Sequence, residues 1–147
     1  ILEAMSEAAM TTKNPILLTE FVRQAIRRVL VEPYLNHERA LEVILLAPET
    51  EHLIEKAIDH HETTSSLLLA PTRIREVVEE VRRRVGNGDG SAVLLTSTTV
   101  RYFVRQILEQ YLPGVTVVSH GEIPAEVRIH VSGHPGTAGQ LEAKAGA

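Results

Sequence analysis

A chain of 147 residues with 44% hydrophobic and 23% charged side chains has the size and balance of one globular domain, long enough to bury a core without a disulfide or metal staple. A formal net charge of −4, with three Tyr, two Phe and no Trp, argues against a nucleic-acid partner, which needs a dense basic face and stacking aromatics. The absence of Cys removes thiolate metal sites and cysteine nucleophiles, and no run approaches the roughly 20 apolar residues of a membrane helix.

The chain opens at Ile1 rather than Met and reads as a piece of a longer protein, so a membrane anchor is expected, if at all, outside it. Residues 1–36 are predicted helical. "ILEAMSEAAM" puts Ile1, Leu2, Met5, Ala8 and Ala9 on one stripe. After "TTKN", Asn14 supplies an N-cap and Pro15 a first helical residue. Leu18, Phe21, Val22, Ala25 and Val29 then recur at the helical period, opposite Glu20, Arg23, Arg27 and Arg28. Two helices without a strand partner close no core, so this section is expected to be the end of a truncated helical subdomain.

Residues 37–134 change pattern. "ALEVILLA" is a buried strand, "PETEHLIEKAID" a helix with Leu53, Ile54, Ala57 and Ile58 inward, and "DHHETTSS" a loop. "PTRIREVVEEVRRRV" is an amphipathic helix with Ile74, Val77, Val78, Val81 and Val85 on one face and i,i+4 pairs Glu79–Arg83 and Glu80–Arg84. "GNGDGS" breaks the chain and "AVLLTS" is the second strand. Val100, Phe103, Val104, Ile107, Leu108 and Tyr111 line a helix that Pro113–Gly114 ends. "VTVVS" is a third strand, and "EVRIHVSG" alternates like a half-exposed fourth. The fold class is therefore α/β, a small sheet with flanking helices, with residues 135–147 as a flexible tail.

Each candidate site has a plainer explanation beside it. The "TSTT" turn, Thr96–Thr99, sits where a strand-to-helix junction can bind an anion, but the lysine of a phosphate loop and the glycines of a dinucleotide turn are missing. Ser97 or Thr98 as N-cap accounts for it. His52, Asp59, His60, His61 and Glu62 lack a metal-binding helical spacing and read as a polar helix exit. "NGDG" lacks a calcium loop's acidic series, and the Arg82–Arg84 run is blunted by Glu76, Glu79 and Glu80. No catalytic, cofactor or metal residues are assigned. Glu20, Arg23, Arg27 and Arg28 are candidates for a subunit interface, since an exposed charged helix face can pair with an acidic neighbour.

"VLLTSTTVRYFVRQILEQYLPGVTVVSHGEIPAEVRI" resembles the C-terminal end of the FlhA, or FHIPEP, family of type III export-gate proteins, where a "VLLTSPxVRxxVRxLLExxxPxxxVLSYNEIPxxVxI"-like run occurs. "ILEAMSEAAMTTKNPILLTEFVRQAI" is similar to the family's "ILExLxxxxxxxKDPxLLTExVRxAL" run, in the expected order. Thr98 stands in place of the usual proline, His120 of tyrosine and Gly121 of asparagine.

The resemblance implies a parent protein with an N-terminal membrane domain and a cytosolic domain assembled as a nonameric ring at the cytoplasmic face of the bacterial inner membrane. Residues 1–36 would close its ring-forming third subdomain, and residues 37–134 would be the C-terminal subdomain. The ring would dock export chaperones, export substrates and ATPase-complex components without being an enzyme, without a cofactor and without nucleic acid. The wording of "QILEQYLPGV" favours the flagellar branch over the injectisome one. The rival reading is a small α/β enzyme using Thr96–Thr99 with His120.

Overall fold

The computed structural model describes residues 13–61, 63–86 and 91–132; the helix expected over residues 1–10, Glu62, the "NGDG" turn and the tail lie outside them. Asn14 and Pro15 start the first described helix as their chemistry dictates. The Asn14 side-chain oxygen accepts from the Ile16 N–H at 3.0 Å, and Pro15 has no N–H to leave unpaired. This helix, α1 (Pro15–Ala25), breaks at Ile26 and is followed by α2 (Arg27–Val31) and a 3-10 turn at Glu32–Tyr34. Asn36 then turns the chain, its Oδ1 accepting from the N–H groups of Glu38 and Ala40 at 2.9 and 3.0 Å.

From there the order is β1 (Ala40–Leu45), α3 (Pro48–Ala57), β2 (Ile58–His60), β3 (Ser65–Leu67), α4 (Pro71–Val85), β4 (Ala92–Thr96), α5 (Arg101–Tyr111), β5 (Val115–Ser119), a second 3-10 turn at His120–Glu122, and β6 (Arg128–Val131). Four strands form one sheet in the order β5-β4-β1-β6, every adjacent pair parallel, with Leu94 beside Ile44 and Ile129 beside Leu41. Such strands read as near-continuous apolar runs because both faces are covered, and "ALEVIL" and "AVLLT" do.

Alternation sorts the side chains between the two faces. Ile44, Leu46, Leu94 and Val117 point to the face where Ile54 of α3, Val77, Val78 and Val81 of α4, and Val104, Ile107 and Leu108 of α5 are buried with them. Leu41, Val43, Leu95, Val118, Ile129 and Val131 form the other face, roofed by Leu35, Ile123 and Val127. Each large apolar side chain so buried contributes roughly 1.5–3 kcal/mol. Glu80 of α4 adds a polar tie, accepting from the Ala47 N–H at 3.0 Å and the Thr50 hydroxyl at 2.7 Å where α3 begins.

Four local expectations change. "DHHETTSS" is no plain loop: Ile58–His60 and Ser65–Leu67 pair antiparallel, and α3 stops at Ala57, leaving Ile58 to the strand. α5 begins only at Arg101, with Val100 as a cap that makes no side-chain hydrogen bond, so neither Ser97 nor Thr98 caps it. Tyr111 is 49% exposed because it lies on the last residue of α5, past the edge of the core. Arg82, not Arg83, pairs with Glu79.

Candidate functional site

The helical period of α1 is as expected, but the flank that carries Glu20 and Arg23 turns inward, leaving Leu18 and Val22 only half-buried. Phe21 is 46% and Val29 73% exposed, while Glu20 is buried. A helix seats its charged side inward only when the surface beneath supplies a matching charge. That charge is Arg101.

Arg101, on the first turn of α5, is only 2% exposed. Its Nε donates to both carboxylate oxygens of Glu20 at 2.8 and 2.9 Å, its Nη2 lies 2.6 Å from Glu20 Oε1, and its Nη1 reaches the Val117 carbonyl at 3.4 Å. Glu122, fully buried, stands 3.3 Å from Arg101 Nε. The other oxygen of Glu122 accepts from Arg23 Nη2 at 2.7 Å. The same carboxylate accepts from the N–H and hydroxyl of Ser119 at 3.3 and 3.2 Å, and Ser119 in return caps the 3-10 turn. Two acids and two guanidiniums thus cancel, with hydrogen bonds filling the remaining lone pairs. That is the condition under which buried charge is tolerable.

A second tie lies at the start of α1. Asn14 is fully buried, and its Nδ2 donates to Ser65 Oγ at 2.7 Å and to the His61 carbonyl at 3.1 Å. Ser65 Oγ also lies 2.6 Å from His60 Nδ1, while His61 Nε2 meets Asp59 at 3.0 Å. The histidines on the hairpin therefore serve local hydrogen bonds. Among the described residues no group of three or more His, Asp or Glu side chains is placed to hold a metal ion.

The turn after β4 is also internally occupied. Glu51 of α3 accepts from the Ser97 N–H, putting a carboxylate where an external anion would sit. Thr98 lies against Gly121, where an added Cβ would stand 3.2 Å from Thr98 Oγ1 and 3.0 Å from Gln24 Cδ. Two of the three departures from the family-like pattern, Thr98 and Gly121, are thus neighbours beside Gln24 of α1. The small residue at 121 leaves room for the Gln24 side chain.

Of the four interface candidates, Glu20 and Arg23 point into the chain, Arg28 pairs with exposed Glu126, and Arg27 is exposed. Sequence reasoning missed Arg101, Ser119 and Glu122. A signal for Arg101 was present: it shares the spacing of Val104 and Leu108, so a charge interrupts an otherwise apolar stripe. The four charges come from "LLTEFVR", "TTVR" and "GEIP", all within the runs that carried the resemblance.

Comparison with known proteins agrees with this reading of the runs. The sequence pattern of the FHIPEP family matches residues 1–128. The low calcium response locus protein D of Yersinia pestis is 29% identical over 136 residues, 90% of this chain and 19% of that protein. The flagellar biosynthesis protein FlhA of Buchnera aphidicola is 32% identical over 123 residues, 84% of this chain and 18% of that protein. This chain thus spans about a fifth of the length of these relatives. Among solved structures, the CdsV protein of Chlamydia pneumoniae superimposes with a TM-score of 0.81 at 35% identity, covering 88% of this chain and 38% of that one. The nonameric EscV cytosolic domain from a type III secretion system superimposes at 0.68 with 25% identity, covering 84% and 37%.

Proposed function

The chain belongs to the FHIPEP family, and on that premise we propose that it is the C-terminal cytosolic module of a flagellar type III protein export gate. Its work is contact rather than chemistry: it helps assemble a homo-oligomeric ring and docks export chaperone–substrate complexes and ATPase-complex components. The observation that carries this reading is the family match over residues 1–128, which takes in the helical section and the sheet as far as the start of β6. The parent protein would place the module at the cytoplasmic face of the bacterial inner membrane.

Within that reading, residues 1–36 close a helical ring-forming subdomain and residues 37–134 form the C-terminal one. The exposed row of Leu17, Phe21 and Ala25 on α1, with exposed Val29 on α2 after it, supports this, because such a face belongs against further helices. The nonameric state of EscV supports a ring of the same order. Arg27 and Arg28 are the candidates left for contact between subunits, Glu20 and Arg23 being paired inside the chain. The likeness to EscV, a protein of a type III secretion system, supports as a second reading the injectisome branch of the same machinery.

The test is the mass in solution of a longer protein that restores the upstream cytosolic part. A ring-sized species at high concentration is expected. A strict monomer at every salt concentration would leave only a shared fold.

A further inference from the structure

Glu122 belongs to two structures at once. One oxygen, Oε1, closes the corner between β5 and β6 by accepting from the Ser119 N–H and hydroxyl. The other, Oε2, receives Arg23 from α1 at 2.7 Å. The group is fully buried, so neither oxygen can exchange its partner for water while the corner stays shut. We infer that Glu122 is a coupling carboxylate, through which the seating of α1 and the closed form of the Ser119–Ile123 corner are one equilibrium.

Arg23 is the side of this coupling that the outside can reach. Its side chain is 25% exposed, and Arg27 and Arg28, on the next helix, are exposed as well. Any acidic group that draws Arg23 outward leaves Glu122 Oε2 charged and unpartnered. An unsatisfied buried charge is relieved by admitting water, and here that means opening the corner. Arg101 covers only the other oxygen: its Nε lies 3.3 Å from Oε1, while its guanidinium is held by Glu20 and the Val117 carbonyl. The two sites of the coupling, α1 and the corner, meet at this one carboxylate, independently of the family assignment.

The experiment is residue-resolved amide exchange on the 147-residue chain, comparing Arg23→Met, Arg23→Lys and Arg28→Ala with the parent. Arg23→Met should speed exchange at the Ser119, Glu122 and Ile123 amides by about tenfold or more, the scale set by one lost partner of a buried group. Arg23→Lys should recover most of that protection, and Arg28→Ala, which removes only an exposed pair, should leave the corner unchanged. Acceleration confined to residues 15–25, or spread equally to Leu94 and Leu95 in the central sheet, would overturn the coupling. Should Arg23→Met fail to fold, Ser119→Ala supplies the reciprocal test, since it loosens the corner while leaving Arg23 and Glu122 in place, and exchange at residues 18–25 should quicken. An α1 unaffected by that variant would likewise overturn it.

Discussion

Glu20 and Arg101 stand 81 positions apart in the chain and meet at 2.6 Å, both almost wholly out of water. Their pairing, extended by Glu122 and Arg23, ties the helical section to the parallel sheet. A boundary that composition draws near residue 36 is therefore crossed by buried bonds in the folded chain.

The core assignment of α5 is tested by polar substitution. Ile107 is 7% exposed and packs among Val81, Leu94 and Val104. Ile107→Asp should abolish cooperative melting, because an unpaired carboxylate would be buried among aliphatic groups. Leu108→Ala, at 1% exposure, should cost about 2–5 kcal/mol in urea titration. An Ile107→Asp variant with unaltered melting would mean the helix is turned the wrong way.

Two caps that look alike in the sequence should behave differently. Asn14→Ala removes a side-chain cap and the partner of Ser65, so a loss at or above the usual 0.5–2 kcal/mol of a helix cap is expected. Ser97→Ala should change stability by less than about 0.5 kcal/mol, since its hydroxyl makes no hydrogen bond and α5 starts later. Denaturant unfolding of both variants measures the contrast. Equal losses would restore Ser97 as a cap.

Acid should find Glu32 late. Hydrogen bonds from Arg39, at 2.7 and 3.0 Å, hold the Glu32 carboxyl below its ordinary value, against a smaller opposing effect of burial and with the charge of Arg39 assisting. A carboxyl whose folded value is depressed contributes stability above its unfolded value, and that contribution disappears as pH falls through the folded one. In an NMR titration the Glu32 midpoint should rise toward the ordinary carboxylate range when Arg39 is replaced by Ala. An unmoved midpoint would show that the pair does not persist in solution.

The strands and the α4 and α5 helices were legible because period and burial coincide there. Val77, Val78 and Val81, or Leu41 and Leu95, could only face a core. The hairpin at Ile58–Leu67 was hidden because its strands have three residues each, too few to show alternation. The inward turn of Glu20 on α1 was hidden for a different reason. Periodicity locates a stripe, yet the surface that receives it comes from Arg101 and Glu122, far along the chain. The four-charge joint was thus visible as motif residues and invisible as a place. Only the fold brings "LLTEFVR", "TTVR" and "GEIP" together.

The most direct measurement is a double-mutant cycle on Glu20→Gln and Arg101→Met, with stabilities from urea unfolding of the parent, both single variants and the double variant. Each single change breaks a buried pair and should cost about 3–5 kcal/mol. The double variant should lose clearly less than the sum, with a coupling of about 2 kcal/mol or more. Losses that simply add, to within about 0.5 kcal/mol, would contradict a joint built on this pair.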